Sequence, residues 1–300
     1  MTSIKQNGPD VYDRITQRIV EAIEAGAGDF RMPWHHDGDT TTPVNIASKA
    51  AYRGINTLAL WVAGQASGYG TGIWGTYRQW AELGAQVRKG ERGSCVVFWK
   101  MLDRTQESQD GSADSSDETG NRRMFARGYT VFNADQVDGY TPPPPVLRPE
   151  PARIEHAERF CGALGVDIRH GGDRAYYRPS TDHVQMPELA AFHNTLGYYA
   201  TLLHECGHAS GAKHRLDRDL SGRFGSEAYA MEEIIVELLS AMVCADLGLA
   251  VEPRPDHAAY IASWLKVLKN DKRAIFTAAG KAQQIADWMH ARQAPQQAAA

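Results

Sequence analysis

The sequence predicts an α+β fold, an N-terminal α+β half followed by a mainly helical half. Three observations carry this. Segments rich in β-branched and aromatic residues cluster before residue 140, and apolar residues at helical spacing dominate after residue 188. Between them lies a proline run, TPPPPVLRPEP (Thr141–Pro151). At 300 residues the chain is longer than one typical domain. With 43% hydrophobic and 23% charged residues, it is neither wholly disordered nor fibrous. A net charge of −4 argues against a uniformly basic nucleic-acid coat, but not against a local basic groove.

In chain order, Tyr12–Ala25 places Ile15, Ile19, Val20 and Ile23 at helical spacing, and Gly26 and Gly28 end the helix. Helices follow at Gly54–Gln65 and Thr76–Leu83, then a strand–turn in GAQVRKGERGS and a strand in SCVVFWKM. The polar, acidic segment Asp103–Arg123 reads as a mobile hairpin loop, and MFARGYTVFNADQV resumes as a strand able to pair with Cys95–Met101. Four consecutive prolines cannot continue a helix or a central strand. They divide the chain into domains 1–140 and 152–300, with 141–151 as linker. Beyond them come a helix at Ile154–Leu164 and strands at Gly165–Arg169, Ala175–Arg178 and within Pro179–Pro187. A long helix is expected over Glu188–Ser210. Ser226 then caps a helix over Glu227–Leu247 that Gly248 closes, and two more helices cover Asp256–Asn270 and Asp271–His290.

The four cysteines form no CxxC pair and read as buried or incidental thiols of a reducing cytoplasm. The N-terminal segment has no apolar core like that of a signal peptide, and no apolar stretch is long enough to span a bilayer. A cytoplasmic protein without a membrane partner is expected.

The strongest chemical signal is His204-Glu205-Cys206-Gly207-His208, an HExxH motif inside a predicted helix. Residues four apart share a helix face, so both imidazoles reach one metal and Glu205 stands beside its open position as a general base. Two histidines favour Zn2+ over calcium or magnesium, and other divalent transition metals suit the same donors. A third ligand is needed. His214 completes HExxHxxGxxH, but no Met-turn is evident. On the next helix, Glu233 and Glu237 stand one turn apart among Ile234, Ile235, Leu238 and Met242, an apolar setting in which a carboxylate needs a partner. Glu233 is the first choice as ligand, with Glu237 bonded to a ligating histidine. His214, Glu237 and Glu232 remain alternatives, and at least one of the three glutamates is expected to face solvent.

In the N-terminal half, Tyr52–Lys100 holds six basic residues against two acids, interleaved with eight aromatics. Cations that track phosphates, alternating with rings that stack unpaired bases, suit single-stranded nucleic acid. Arg53, Arg78, Arg88, Lys89 and Arg92 are the candidate contacts, although most of the aromatics should be core. His35 and His36 read as a solvated loop pair rather than ligands.

These residues also carry a resemblance. YDRITQRIVEAIE, MPW, YRGIN, WGTYRQWAELGAQVRKGERGS and GYTVFNADQVDG resemble the N-terminal domain of ArdC-type antirestriction proteins. RAYYRPSTDHVQMP, the HExxH helix and SGRFGSEAYAMEEIIVELLSAMVCADLG resemble that family's zincin-like domain. The likeness runs over Val11–Leu249, with one departure: Gly211-Ala212 stand where members often carry a further histidine. It implies a plasmid-borne protein that binds single-stranded DNA and protects incoming DNA from restriction during conjugation. It also implies a glutamate ligand on the following helix, here Glu233, and an edge strand above the metal that binds substrate, here His183–Met186. Two readings stay open. One is a zinc metallopeptidase acting on a protein such as a restriction component. The other is a DNA-occluding protein whose metal site is structural or vestigial.

Overall fold

The computed structural model describes residues 10–29, 32–35, 42–103, 122–143, 149–223, 225–251 and 257–293. Helix α1 (Val11–Gly26) starts at Asp10, whose carboxylate accepts from the Asp13 amide at 2.8 Å while Asp13 answers the Asp10 amide. Its buried stripe is Ile15, Ile19, Val20 and Ile23, the spacing read from the sequence. Strand β1 (Val44–Asn45), helix α2 (Ile55–Ser67) and strand β2 (Ile73–Gly75) follow. Helix α3 (Tyr77–Glu82) is capped by Thr76, and β3 (Gln86–Val87) leads to the long β4 (Ser94–Asp103) and β5 (Arg122–Asn133). β4 and β5 pair antiparallel throughout, Cys95 opposite Thr130 and Asp103 opposite Arg122, as expected. The acidic loop expected at their tip lies outside the described residues. The sheet order is β1-β2-β5-β4, and β6 (Val137–Asp138) pairs with β3.

After the proline run come α4 (Glu150–Gly162), β7 (Asp167–His170), β8 (Tyr176–Arg178) and β9 (His183–Met186). Their sheet runs β7-β9-β8, so the HVQM segment is the middle strand and β8 is an edge. The assignment of the edge role to His183–Met186 is therefore corrected. Strand order depends on partners distant in sequence, and local pattern does not carry it. The helix expected over Glu188–Ser210 is also shorter. A 3-10 turn (Leu189–Ala191) comes first, and α5 (Thr195–Ala209) begins where the Asn194 side chain accepts from the Gly197 amide at 2.6 Å. Helix α6 (Glu227–Leu247) has the ends the sequence marks, Ser226 bonded to the Tyr229 amide and Gly248 at φ 71°. Helices α7 (His257–Asn270) and α8 (Ala274–His290) complete the described fold.

One apolar core joins the two sides of the proline run. α1 packs on α7 and α2 on α8, and Trp34 meets Trp264 with ring centroids 6.1 Å apart. α6 lies against α5, α7 and α8, which is why it is buried along nearly its whole length. All four cysteines are free and buried. No helix among the described residues is long and apolar enough to cross a membrane.

Candidate metal centre

α5 places His204 and His208 one turn apart, with imidazole centroids 5.0 Å from each other. α6 crosses it closely enough to bring Glu233 between them. The His204 Nε2 and His208 Nε2 atoms each lie 3.6 Å from a Glu233 carboxylate oxygen, and one donor from each residue falls within 4.8 Å of the others. At 3.6 Å these are not hydrogen bonds. Ligands about 2.1 Å from a tetrahedral metal stand about 3.4 Å apart, so the donor set fits a zinc-sized ion. Among the described residues this is the one such cluster. Burial pushes the Glu233 carboxyl up, but the His204 and His208 imidazoles outweigh it and hold it at about 2. It is ionised, as a ligand must be.

The outer nitrogens are also engaged. His204 Nδ1 lies 3.1 Å from Glu237 and His208 Nδ1 lies 3.4 Å from Glu232. Such contacts set the tautomer, leaving each Nε2 with its lone pair toward the cluster. Glu232 is itself held by Arg218, at 2.7 Å; Arg218 also donates to Ser210 Oγ at 2.6 Å and to the Gly207 carbonyl at 2.8 Å. Burial raises the Glu232 carboxyl, and His208 and Arg218 bring it below its ordinary value. The expectation that one of the three glutamates faces solvent fails, because all are largely buried. Arg218 carries no signal in the sequence, lying in an irregular loop 14 residues before its partner.

Glu205 is 7% exposed and lines the cleft of about 260 Å³ that opens over His204, His208 and Glu233. Tyr176 and Tyr177 of the edge strand β8 wall one side, and Leu220, Gly222 and Tyr229 also line it. Gly222 passes so near α6 that an added Cβ would sit 2.8 Å from the Tyr229 amide nitrogen. His214 stands apart from the cluster, 65% exposed and 3.4 Å from Asp182. Asp182 also takes two hydrogen bonds from Arg215 and one from the Tyr177 hydroxyl, tying β8 to the loop behind α5.

The N-terminal candidates are scattered in role. Arg53 pairs with Asp287 of α8 at 2.5 Å and Arg78 with Glu82 at 2.8 Å. Arg88 binds Glu91 at 2.9 Å and the Asp135 carbonyl. Lys89 and Arg92 are exposed on the same turn. Of the aromatics, Tyr52, Trp61, Trp74 and Trp80 are core, whereas Tyr77, Phe98 and Trp99 are exposed. Tyr129, from outside the stretch singled out, is exposed as well. His35 is not solvated: it is buried and its Nδ1 accepts from the Met32 amide at 3.1 Å. His36 lies outside the described residues.

Residues 9–132 match the N-terminal domain of the anti-restriction factor ArdC, and residues 155–281 match a zincin-like metallopeptidase domain, which implies a divalent metal. An uncharacterized protein y4eC of Sinorhizobium fredii is 69% identical over 97% of this chain and 95% of its own length. A DNA primase TraC of Escherichia coli is 38% identical over 93% of this chain, which spans only 27% of the primase. Crystal structures of the antirestriction protein ArdC from plasmid R388 superpose with a TM-score of 0.77 in both metal-free and Mn(II)-bound forms. They are 42% and 41% identical and cover 95% and 96% of this chain, and 98% and 100% of theirs. With the same two domains in the same order over nearly the full length, the chain belongs to the ArdC family of antirestriction proteins.

Proposed function

We propose that this protein is an antirestriction factor that works in the cytoplasm. Its N-terminal part, 1–140, binds single-stranded DNA and shields incoming plasmid DNA during conjugation. Its C-terminal part, 152–300, is a metal-dependent peptidase. Membership of a family named for antirestriction, and kinship with a DNA primase, support the first half.

The peptidase reading rests above all on Glu205. A structural metal site needs only ligands. Here a further carboxylate, not among the candidate donors, lines the same cleft. His204, His208 and Glu233 would hold the metal, with Zn2+ suiting the donors best and Mn2+ the ion bound by the R388 protein. Such a metal, when bound, supplies Lewis acidity to a carbonyl oxygen and lowers the pKa of a water. Glu205 accepts the proton of the attacking water and returns it to the leaving amine. Glu237 and Glu232 keep the two imidazoles in the ligating tautomer. β8, the edge strand at the cleft, offers its free side to an extended peptide, for which a protein of the restriction machinery is the proposed source.

The test is Glu205→Ala in the full chain. Bound metal should stay at the wild-type stoichiometry while peptide hydrolysis falls at least about 100-fold, the usual share of a general base. If antirestriction in a conjugation assay persists undiminished in that variant, hydrolysis is not the protective step, and occlusion of DNA by the N-terminal half takes its place.

A further inference from the structure

Strands β4 and β5 form a two-stranded ribbon whose two faces differ. Residues directly opposite one another point to the same side, and successive residues alternate. One face carries Cys95, Val97 and Trp99 with Thr130, Gly128 and Ala126 opposite, and it is covered at Cys95 and Val97. Cys95 and Val97 belong to the main core, and α1 comes so close at Gly128 that an added Cβ would sit 3.3 Å from Val11. The other face begins with Val96 opposite Tyr129, then Phe98 opposite Arg127. Val96 is buried in a small cluster with Trp74 and Val131, but Phe98 is 55% and Tyr129 40% exposed.

Six large hydrophobic residues are exposed among the described residues, and three of them lie on this ribbon, Phe98 and Tyr129 on the second face and Trp99 on the first. Phe98 and Tyr129 meet edge to face at 5.4 Å, and the Arg127 guanidinium lies over the Tyr129 ring at 5.4 Å. Arg127 is exposed and has no ion-pair partner among the described residues. That separates it from Arg53, Arg78 and Arg88, whose charges are neutralised by acids within the chain.

We propose that this open face of the β4–β5 ribbon is the seat of single-stranded DNA, with unpaired bases stacked on Phe98 and Tyr129 and a phosphate drawn to Arg127. The proposal rests on the DNA-binding reading above and moves its centre away from the turn at Arg88–Arg92. Aromatic rings presented by a sheet face suit unpaired bases, which expose their π-faces, and not duplex, whose bases are already stacked. The free cation supplies the charge complement that a protein-docking apolar face would not need.

The full-length protein is titrated into a fluorescein-labelled 30-nucleotide oligo(dT), with anisotropy as the readout. Phe98→Ala and Tyr129→Ala should each weaken binding about tenfold or more, and Phe98→Trp should stay within about threefold of wild type. Arg127→Ala should flatten the slope of log affinity against log salt by about 0.7. Lys89→Ala should have the smaller effect. Photo-crosslinking of an oligonucleotide carrying 5-iododeoxyuridine to unaltered protein gives a readout independent of any variant's folding, and adducts are expected on Phe98 or Tyr129. Wild-type affinity in both alanine variants, or adducts confined to residues 88–92, overturns the ribbon while leaving DNA binding intact. Failure of the unaltered protein to bind oligo(dT) at all removes the DNA-binding reading itself.

Discussion

Arg218 occupies the least forgiving position around the metal cluster. Its side chain is 9% exposed and faces Glu232, whose carboxylate also serves His208. Removing the guanidinium strands a buried carboxylate, and breaking one partner of a buried pair costs about 3 kcal/mol or more. Arg218→Met should therefore lower stability by that amount and weaken metal binding about 10- to 100-fold, because His208 loses its orienting partner. Chelator-competition titration reads the second effect and urea denaturation the first. In the same titration Glu233→Ala should abolish stoichiometric binding and His214→Ala should leave it intact, since His214 faces Asp182 and solvent. The opposite pair of results would make His214 the third ligand. The i, i+4 spacing of His204 and His208 was legible in the sequence because a helix sets it locally. Glu233 was legible as a carboxylate on an apolar helix face. Arg218 was not, because the path of an irregular loop leaves no periodic trace.

At the scale of elements, Gly207 governs how closely α6 approaches α5. A Cβ there would lie 2.7 Å from Leu239 Cδ2 and 3.2 Å from Val236 Cγ1, both in the fully buried middle of α6. Gly207→Val must push the helices apart or force off-rotamer side chains, at a cost of about 2 kcal/mol. Because α6 also carries Glu233, metal affinity should fall with stability, which a mere packing defect far from the cluster would not produce. Equal metal affinity in a destabilised variant would uncouple the two. A second tie joins β8 to the loop after α5 through Asp182. Burial raises its carboxyl, but hydrogen bonds from Arg215 and Tyr177 outweigh this and depress it below its ordinary value. A depressed carboxyl contributes stability above its unfolded pKa of about 3.9 and loses it as the pH falls through the folded value. Asp182→Asn should therefore be less stable than wild type at pH 7, and the gap should close as the pH falls below about 4, measured by urea denaturation of metal-free protein. The ends of α6 could be read from Ser226 and Gly248, which act within a few residues. The place of β9 between β7 and β8 could not, since a four-residue strand finds its neighbours through contacts remote in sequence.

For the whole molecule, the proline run reads as a boundary between two jobs, yet the apolar core passes across it. α1 and α2 lie against α7 and α8, with Trp34 on Trp264 at the centre of that contact. Ion pairs follow the same seam, Lys269 with Glu24, Lys272 with Asp10 and Arg53 with Asp287, all solvent-exposed and so worth little individually. The buried area carries the coupling. Trp264 is fully buried, and truncating a buried tryptophan costs about 3–5 kcal/mol. If the halves shared no core, Trp264→Ala would loosen only the C-terminal helices. Because Trp264 packs on Trp34, the same substitution should lower the opening free energy of α1 along with that of α6. Amide hydrogen exchange at low denaturant separates the two cases, since it reads each helix independently. Matched loss of protection in α1 and α6 is the expected result. Unchanged protection in α1 with loss confined to α6 would mean that the two halves fold and open as separate units despite their contact.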